Sequence, residues 1–479
     1  MIVRGFATAA LAASIVVTSS VSAQEAAPSP ALTPEQARTV DRLIDQGLKN
    51  DLAWEVLESL TTEVGPRLGG SEAEARARDW GAAKLKSLGF KNVKIETFEM
   101  PYWERVSERA EIVSPFPQPL SLTALGGSIG TPEGGLEGEV VRFGTLPELQ
   151  AAPLTGYEGK IIFVDEPMAR TQDGSGYGMA VRKRGLAAVE AGKRGAAAAL
   201  IRSAGTDYHR NPHTGGATFR GGATAVPTAA LANPDADQLT RVLKRANGPV
   251  IVNLELVVNT RETVTSGNVI GEIPGKTNEI IVIGGHLDSW DLGTGAIDDG
   301  AGIAITTAAA KLVGDLNGKP TRTIRVVMWG SEEVGVYGGS AYAEAHADEI
   351  DRHVVAAESD FGAGRIYQFS TRFGESALPK ATPMANALRR LAITPGDNNA
   401  YGGADIGAIM RLGVPAVTLA QSGWDYFDLH HTPDDTLDKV DPEALRQNVA
   451  AWAAFIYMAS EMEGGFRDDG DGESASDSD

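Results

Sequence analysis

EIIVIGGHLDSWDLGTGAIDDGAG, residues 279–302, is the stretch whose reading decides the fold. Glu279 to Gly284 is a short apolar run of β-branched residues ending at glycine, which predicts a strand buried on both faces. Gly300 to Val313 has the spacing of a helix. Strand, polar loop and helix in that order form the unit of an α/β fold, in which ligands gather beyond the carboxyl ends of the strands. His286 and Asp288 directly follow this strand, and Asp298 and Asp299 directly precede this helix.

The unit repeats downstream. Strands are predicted at Thr323–Trp329, Val354–Ala357 and Ala416–Leu419, and helices at Gly339–His346, Ala381–Leu391 and Pro442–Glu461. Together they give a mixed, mostly parallel sheet flanked by helices. Upstream, apolar residues recur at helical spacing from Ala37 to Leu60, the segment Gly65 to Ser71 breaks the pattern, and Ser71 can cap a helix from Glu72 to Leu88 that stops at Gly89. Val93 to Phe98 reads as a strand. Between them the texture changes to short strands, such as Lys160–Asp165 and Ala196–Ile201, with Gly and Pro turns and one Ala-rich helix at Leu186–Arg194. This predicts a β-rich inserted domain over residues 115–260, dividing a catalytic domain into parts 35–114 and 261–466.

The ends are of another kind. Arg4, an apolar stretch from Phe6 to Val17 and Val21-Ser22-Ala23 spell a signal peptide over residues 1–23, followed by an Ala- and Pro-rich linker, 24–34. A secreted or periplasmic location is expected, with no stable membrane insertion, because the apolar core is too short to span a bilayer. Residues 467–479 alternate Asp, Glu, Ser and Gly, which predicts a disordered acidic tail. The formal net charge is -20 and no run of Lys and Arg interrupts it, so nucleic acid is excluded as a partner. With no cysteine, thiolate nucleophiles and thiolate metal ligands are excluded too.

His, Asp and Glu remain, and they fall where the fold gathers them. Glu332 and Glu333 follow the second strand and Asp360 follows the third; His430 and His431 lie near the end of the chain. So many carboxylates and imidazoles at one sheet edge would repel one another and lose hydration unless cations held them. In His286-Leu287-Asp288 the two polar side chains share a face, so the carboxylate can orient the imidazole. Of two neighbouring glutamates in a loop, one can bind a metal while the other reaches a water beside it. His209, His213, His346 and His353 lack such company and read as surface or loop residues.

The segments GPRLGGSEAEARA from Gly65, GGHLDSWDLGTGAIDDGAG from Gly284, WGSEEVGVYGGSAYA from Trp329, ESD ending at Asp360, YGGADI from Tyr401 and HHTPDDT from His430 resemble the M28-type zinc aminopeptidase and carboxypeptidase family, within it the carboxypeptidase Q group. The resemblance implies two Zn2+ ions, for which Co2+ or Mn2+ can stand in, with Asp298 bridging them. His286 and Asp360 would complete one site, and Glu333 with His431 the other. It implies Glu332 as general base, Tyr401 as a weaker carry-over that steadies the oxyanion, and His430 as a substrate-side neighbour. It implies a peptide substrate, dipeptides and short peptides with a free amino end, pairing into homodimers, and a protease-associated-like insert that shapes access.

Three rivals stand beside it. Gly126-Gly-Ser128-Ile-Gly130 has the spelling of a serine-hydrolase elbow, but Thr131-Pro132 follows where that motif needs a helix. A non-catalytic binding protein on the same fold is argued against by the complete ligand set. A glutaminyl-cyclase-like acyl transferase is usually built on one zinc, so a metal count discriminates.

Overall fold

The computed structural model describes residues 32–217 and 224–468. The predicted signal peptide and nearly all of the linker and acidic tail lie outside them. Among the described residues no helix is long and apolar enough to cross a membrane.

The decisive strand is observed at Ile280–His286, in the middle of the catalytic sheet. It pairs in parallel with Thr323–Trp329 on one side and His353–Glu358 on the other. Ala416–Gln421 continues the parallel set, Ile366–Arg372 follows antiparallel to it, and the short Thr394–Pro395 lies at that edge. Both faces of the central strand are dry, as its unbroken apolar run requires. Ile281 and Ile283 face a large core built on the helices Ala301–Gly314 and Pro442–Glu461, while Ile280 and Val282 face a second cluster with Trp329, Tyr342 and Ile406. The last helix starts sharply because Asp441 caps it and Pro442 occupies its first turn.

Two long strands, Lys91–Ser114 and Ile251–Ile273, form an antiparallel ribbon that leaves the catalytic sheet at Thr323–Trp329 and carries the insert. The second of them runs through the predicted junction after residue 260. The insert has its own core around a parallel sheet of Leu136–Phe143, Ile161–Val164, Ala198–Arg202 and Thr228–Leu231, with Leu122–Ala124 antiparallel at its edge. It is richer in helix than expected: the Ala-rich helix begins at Ser175 and ends at Lys193, and a second spans Asn233–Arg245.

That first insert helix carries Lys183, whose ammonium is buried without a hydrogen-bond partner among the described residues. Desolvation pushes its pKa down to about 7, against the pull of Glu166. A lysine with a lowered folded pKa costs stability in full below pH 7, and the cost disappears as pH rises through the unfolded value near 10.5. Lys183→Met is therefore expected to stabilise the protein by about 2 kcal/mol or more at neutral pH. Thermal melts at pH 7 and pH 10 should show that gain shrinking in alkali.

Candidate metal centre

His286 closes its strand, and the loop that follows is pinned from below by Arg67. This arginine is fully buried, and its guanidinium donates to the carbonyls of Leu287 (2.5 Å), Thr294 (2.6 Å) and Gly295 (2.9 Å). Gly295 has φ +60° and lies against the guanidinium, where a Cβ would collide with it. Asp435 fixes the far end of the same loop, its carboxylate accepting from the backbone N–H of Ile297 (2.6 Å) and of Asp298 (3.3 Å). Asp299 accepts from the N–H of His286 (3.0 Å) and of Gly302 (3.1 Å), and a carboxylate oxygen of it lies within 4.8 Å of ligand atoms of His286 and Asp360. Loss of the Arg67 guanidinium orphans several buried carbonyls at about 1–3 kcal/mol each. Arg67→Met is expected to lose at least about 3 kcal/mol of stability, read as a lower melting temperature both with and without added zinc.

With the loop held, five expected ligands converge. His286 Nε2 lies 3.0 Å from Asp298 Oδ1 and 3.5 Å from Asp360 Oδ1. His431 Nε2 lies 3.2 Å from Asp298 Oδ2 and 2.9 Å from Glu333 Oε2. Asp298 thus stands between two clusters, one oxygen toward each. Glu333 Oε1 is buried with no hydrogen-bond partner among the described residues, an open acceptor in a cluster of acceptors. An all-nitrogen and oxygen donor set of this kind fits divalent metal ions.

The electrostatics agree. Burial disfavours the imidazolium form of His286, yet the Asp298 and Asp360 carboxylates override it and hold this pKa well above its ordinary value. Burial likewise opposes the charge on His431, and Glu333 and Asp298 raise it to about 9. Burial would raise Asp298, but hydrogen bonds from His286 and His431 hold it well below the usual carboxylate range. Glu332 is pushed well up by desolvation and by the neighbouring Asp360 and Glu333 charges, with His286 opposing.

The other expected site residues have the following surroundings. Asp288 does not orient the imidazole through its carboxylate: His286 Nδ1 meets the Asp288 backbone carbonyl at 3.0 Å, with the nearer carboxylate oxygen at 3.7 Å. That carboxylate instead accepts from the backbone N–H groups of Glu332 (2.9 Å) and Glu333 (3.3 Å), setting the two-glutamate turn. Tyr401 is 70% exposed at the mouth of a cleft of about 270 Å³ that Asp360 and Glu358 also line. His430 is buried, its ring stacked 3.5 Å from that of His431. Three histidines read as surface or loop residues are buried: His213 pairs with Asp207 (2.6 Å), His346 with Glu96 and Glu349, and His353 with the Tyr342 hydroxyl (2.8 Å). Ser128 is no nucleophile, since its buried hydroxyl donates to the Ile129 carbonyl and accepts from the Thr228 N–H.

The insert also touches the centre. The Thr214 backbone N–H donates to the His431 carbonyl (3.0 Å), and the Thr214 carbonyl lies 3.2 Å from His431 Nδ1. Arg184, on the insert's first long helix, donates to that carbonyl (3.3 Å). Nothing in the sequence around Thr214 announces this. Arg67 and Asp435 lie inside conspicuous motifs, but their partners are backbone groups far along the chain.

Residues 268–456 match the model of peptidase family M28. Carboxypeptidase Q of Mus musculus is 34% identical over 429 residues, covering 89% of this chain and 89% of that protein. The crystal structure of a peptidase M28 precursor from Shewanella amazonensis shares 49% identity and superposes with a TM-score of 0.88 over 90% of this chain and 98% of its own. A zinc aminopeptidase from Bacillus subtilis shares the fold at 19% identity, with a TM-score of 0.62 over 86% of this chain and 96% of its own. With relatives this similar over nearly their whole length, the chain belongs to peptidase family M28 and is a metallopeptidase.

Proposed function

We propose that this metallopeptidase is an exported exopeptidase that holds two zinc ions and hydrolyses dipeptides or short peptides from a free amino end. The observation that carries the reading is the placement of Asp298 between His286 with Asp360 on one side and His431 with Glu333 on the other. The first 23 residues support export, and the insert is read as a protease-associated-like domain at the edge of the cleft. Homodimer formation is carried over from the resemblance and is checked by light scattering.

Bound zinc would polarise the scissile carbonyl and make a water acidic enough to yield its proton near neutral pH. Glu332 takes that proton and passes it to the leaving amine, which suits a carboxyl whose pKa desolvation has raised toward its task. Asp288 keeps Glu332 and Glu333 pointing in different directions by holding both of their backbone N–H groups. Tyr401 at the cleft mouth can donate its phenol proton to the developing oxyanion. Beside Asp360 the 270 Å³ cleft is lined by Asp173 and Glu358 and, among the described residues, by no lysine or arginine, a setting for an ammonium and not for a carboxylate.

The purified chain, incubated with dipeptides, N-acetylated peptides and C-amidated peptides with and without chelator, tests the reading. N-acetylation should lower kcat/KM by roughly a hundredfold, the loss of a buried charge-assisted contact, and chelator should abolish turnover of all three. Equal cleavage of blocked and free peptides removes the amino-end assignment, and chelator-resistant cleavage removes the metals. A metal count of one zinc per chain would favour the acyl-transferase alternative.

A further inference from the structure

The segment that carries His430 and His431 is gripped by the insert. Thr206 donates its backbone N–H to the Phe427 carbonyl (3.0 Å) and its hydroxyl to Asp428 (2.7 Å), a carboxylate that Arg170 also reaches (2.6 Å). Asn211 donates to Asp434 (2.8 Å). Between these points Thr214 meets His431 with both of its backbone groups. His431 holds φ +62° within this grip, and a residue with a side chain stays in that region only where its surroundings over-determine it.

Thr214 is itself fixed from several directions. Its neighbour His213 is buried against Asp207 (2.6 Å) and donates its backbone N–H to Ser203 (2.9 Å). The Thr214 hydroxyl donates to the Ala124 carbonyl (3.1 Å) and accepts from Arg105 (3.1 Å). Its carbonyl faces two donors, His431 Nδ1 at 3.2 Å and Arg184 Nη1 at 3.3 Å. Those two nitrogens come within 3.3 Å of each other because both aim at one oxygen. A carbonyl only accepts, so in the neutral ring that a metal ligand requires, Nδ1 carries the proton. Nε2 then keeps its lone pair on the side of Glu333 and Asp298.

Arg184 is placed closely for this contact. A Cβ on Gly215 would fall 2.1 Å from Nη1, so the glycine makes the room. The guanidinium lies over the ring of Tyr177 on the same helix, 5.6 Å from its centroid, and its Nε is buried with no hydrogen-bond partner among the described residues. The other half of the centre is backed differently: His286 Nδ1 meets the Asp288 carbonyl, inside the catalytic domain.

We propose that Arg184 is a positioning residue for the His431–Glu333 half of the metal centre: its charge pins the Thr214 carbonyl, and the carbonyl sets the tautomer and angle of His431. The proposal rests on the two-zinc reading above and deepens it, because it makes the insert a structural part of one metal site and not only a wall of the cleft. The two halves depend on different domains, so a change in the insert reaches one of them alone.

The test titrates the metal-free full chain with zinc against a chelating indicator. The wild type should fill two sites. Arg184→Met should fill one of them as the wild type does and the other roughly tenfold or more weakly, the effect expected when the support of a ligating imidazole is lost. Its dipeptide turnover should fall at limiting zinc and recover as zinc is raised, with KM within about twofold of the wild type. Arg184→Lys, which keeps a charged donor, should lie between. Lys183→Met, the next position on the same helix, should shift the melting temperature and leave both zinc affinities alone, which separates stability of the insert from the metal contact. Wild-type affinity at both sites of Arg184→Met, equal weakening at both, or a raised KM with zinc binding intact each overturns the proposal, the last by making Arg184 a substrate contact. If Arg184→Met does not fold, Arg184→Lys and Arg184→Gln carry the same comparison. A wild type that fills a single site overturns the two-zinc reading and the proposal together; two sites filled alike in wild type and variant overturn the proposal alone.

Discussion

Glu332→Gln is expected to bind zinc as the wild type does and to lose turnover by a factor on the order of a thousand. The size follows from what a positioned general base contributes, about 10² to 10⁴ in rate. Metal retention follows from the geometry: the backbone of residue 332 is held by Asp288 Oδ1, a bond that the amide side chain leaves alone, and Glu333 keeps its own bond to Asp288 Oδ2. Gln fills the volume of Glu and can still accept a hydrogen bond, but it takes no proton at neutral pH. Zinc content by elemental analysis and kcat on a dipeptide check the two halves separately. Turnover within tenfold of the wild type would remove Glu332 as the base. Loss of zinc together with activity would instead make it part of the metal shell.

The same turn shows why the centre was legible in the sequence while its supports were not. His286, Asp298, Glu333, Asp360 and His431 could be singled out because each sits beside a strong local signal, the end of an apolar run or a motif of fixed spelling. Their convergence was then a consequence of parallel strands ending at one edge. Arg67 and Asp435 act through bonds to backbone groups 137 to 228 positions away, and backbone carries no sequence signature. Thr214 is more extreme, since it uses only its own backbone toward His431. The buried histidines misled for a related reason: His213, His346 and His353 are satisfied by Asp207, Glu96, Glu349 and Tyr342, partners that are neighbours only after folding.

The fold divides in the same way. Where a strand is buried on both faces, as at Ile280–His286, its unbroken apolar run gave it away. The ribbon was anticipated only as Val93 to Phe98, yet one of its strands runs from Lys91 to Ser114. Much of that strand is exposed, so alternation is weak, Pro101 interrupts it, and its partner lies at Ile251–Ile273. In the insert, Gly174, Gly176 and Gly178 lower helix propensity at the start of Ser175–Lys193, and the helix was expected only from Leu186. At that end Tyr177 stacks on Phe427 and packs against the catalytic core, which supplies what local preference lacks there.

His431→Ala is expected to lose zinc from one half of the centre and nearly all turnover, whereas His430→Ala should keep the metal content of the wild type. The two rings are stacked, and both approach Asp298 Oδ2, at 3.4 Å for His430 and 3.2 Å for His431, so proximity to that oxygen does not separate them. Their other contacts do. His431 Nε2 also reaches Glu333 Oε2 at 2.9 Å, while its Nδ1 faces the Thr214 carbonyl, the backing that fixes a ligating imidazole in one tautomer. His431 adopts φ +62°, a conformation that side chains rarely take without compensation. His430 has a buried Nδ1 with no partner among the described residues, and its ring is walled by Tyr177, Tyr426 and Phe427. Burial and the His431 charge hold its pKa well below the ordinary value, which suits a neutral ring packed among aromatics. Removing a ligand should cost several kcal/mol of transition-state stabilisation, on the order of a thousandfold in kcat. Removing the packing ring should lower the melting temperature by a few degrees and leave stoichiometry alone. If His430→Ala loses zinc and His431→Ala keeps it, the two rings exchange roles and Thr214 backs a residue outside the coordination shell.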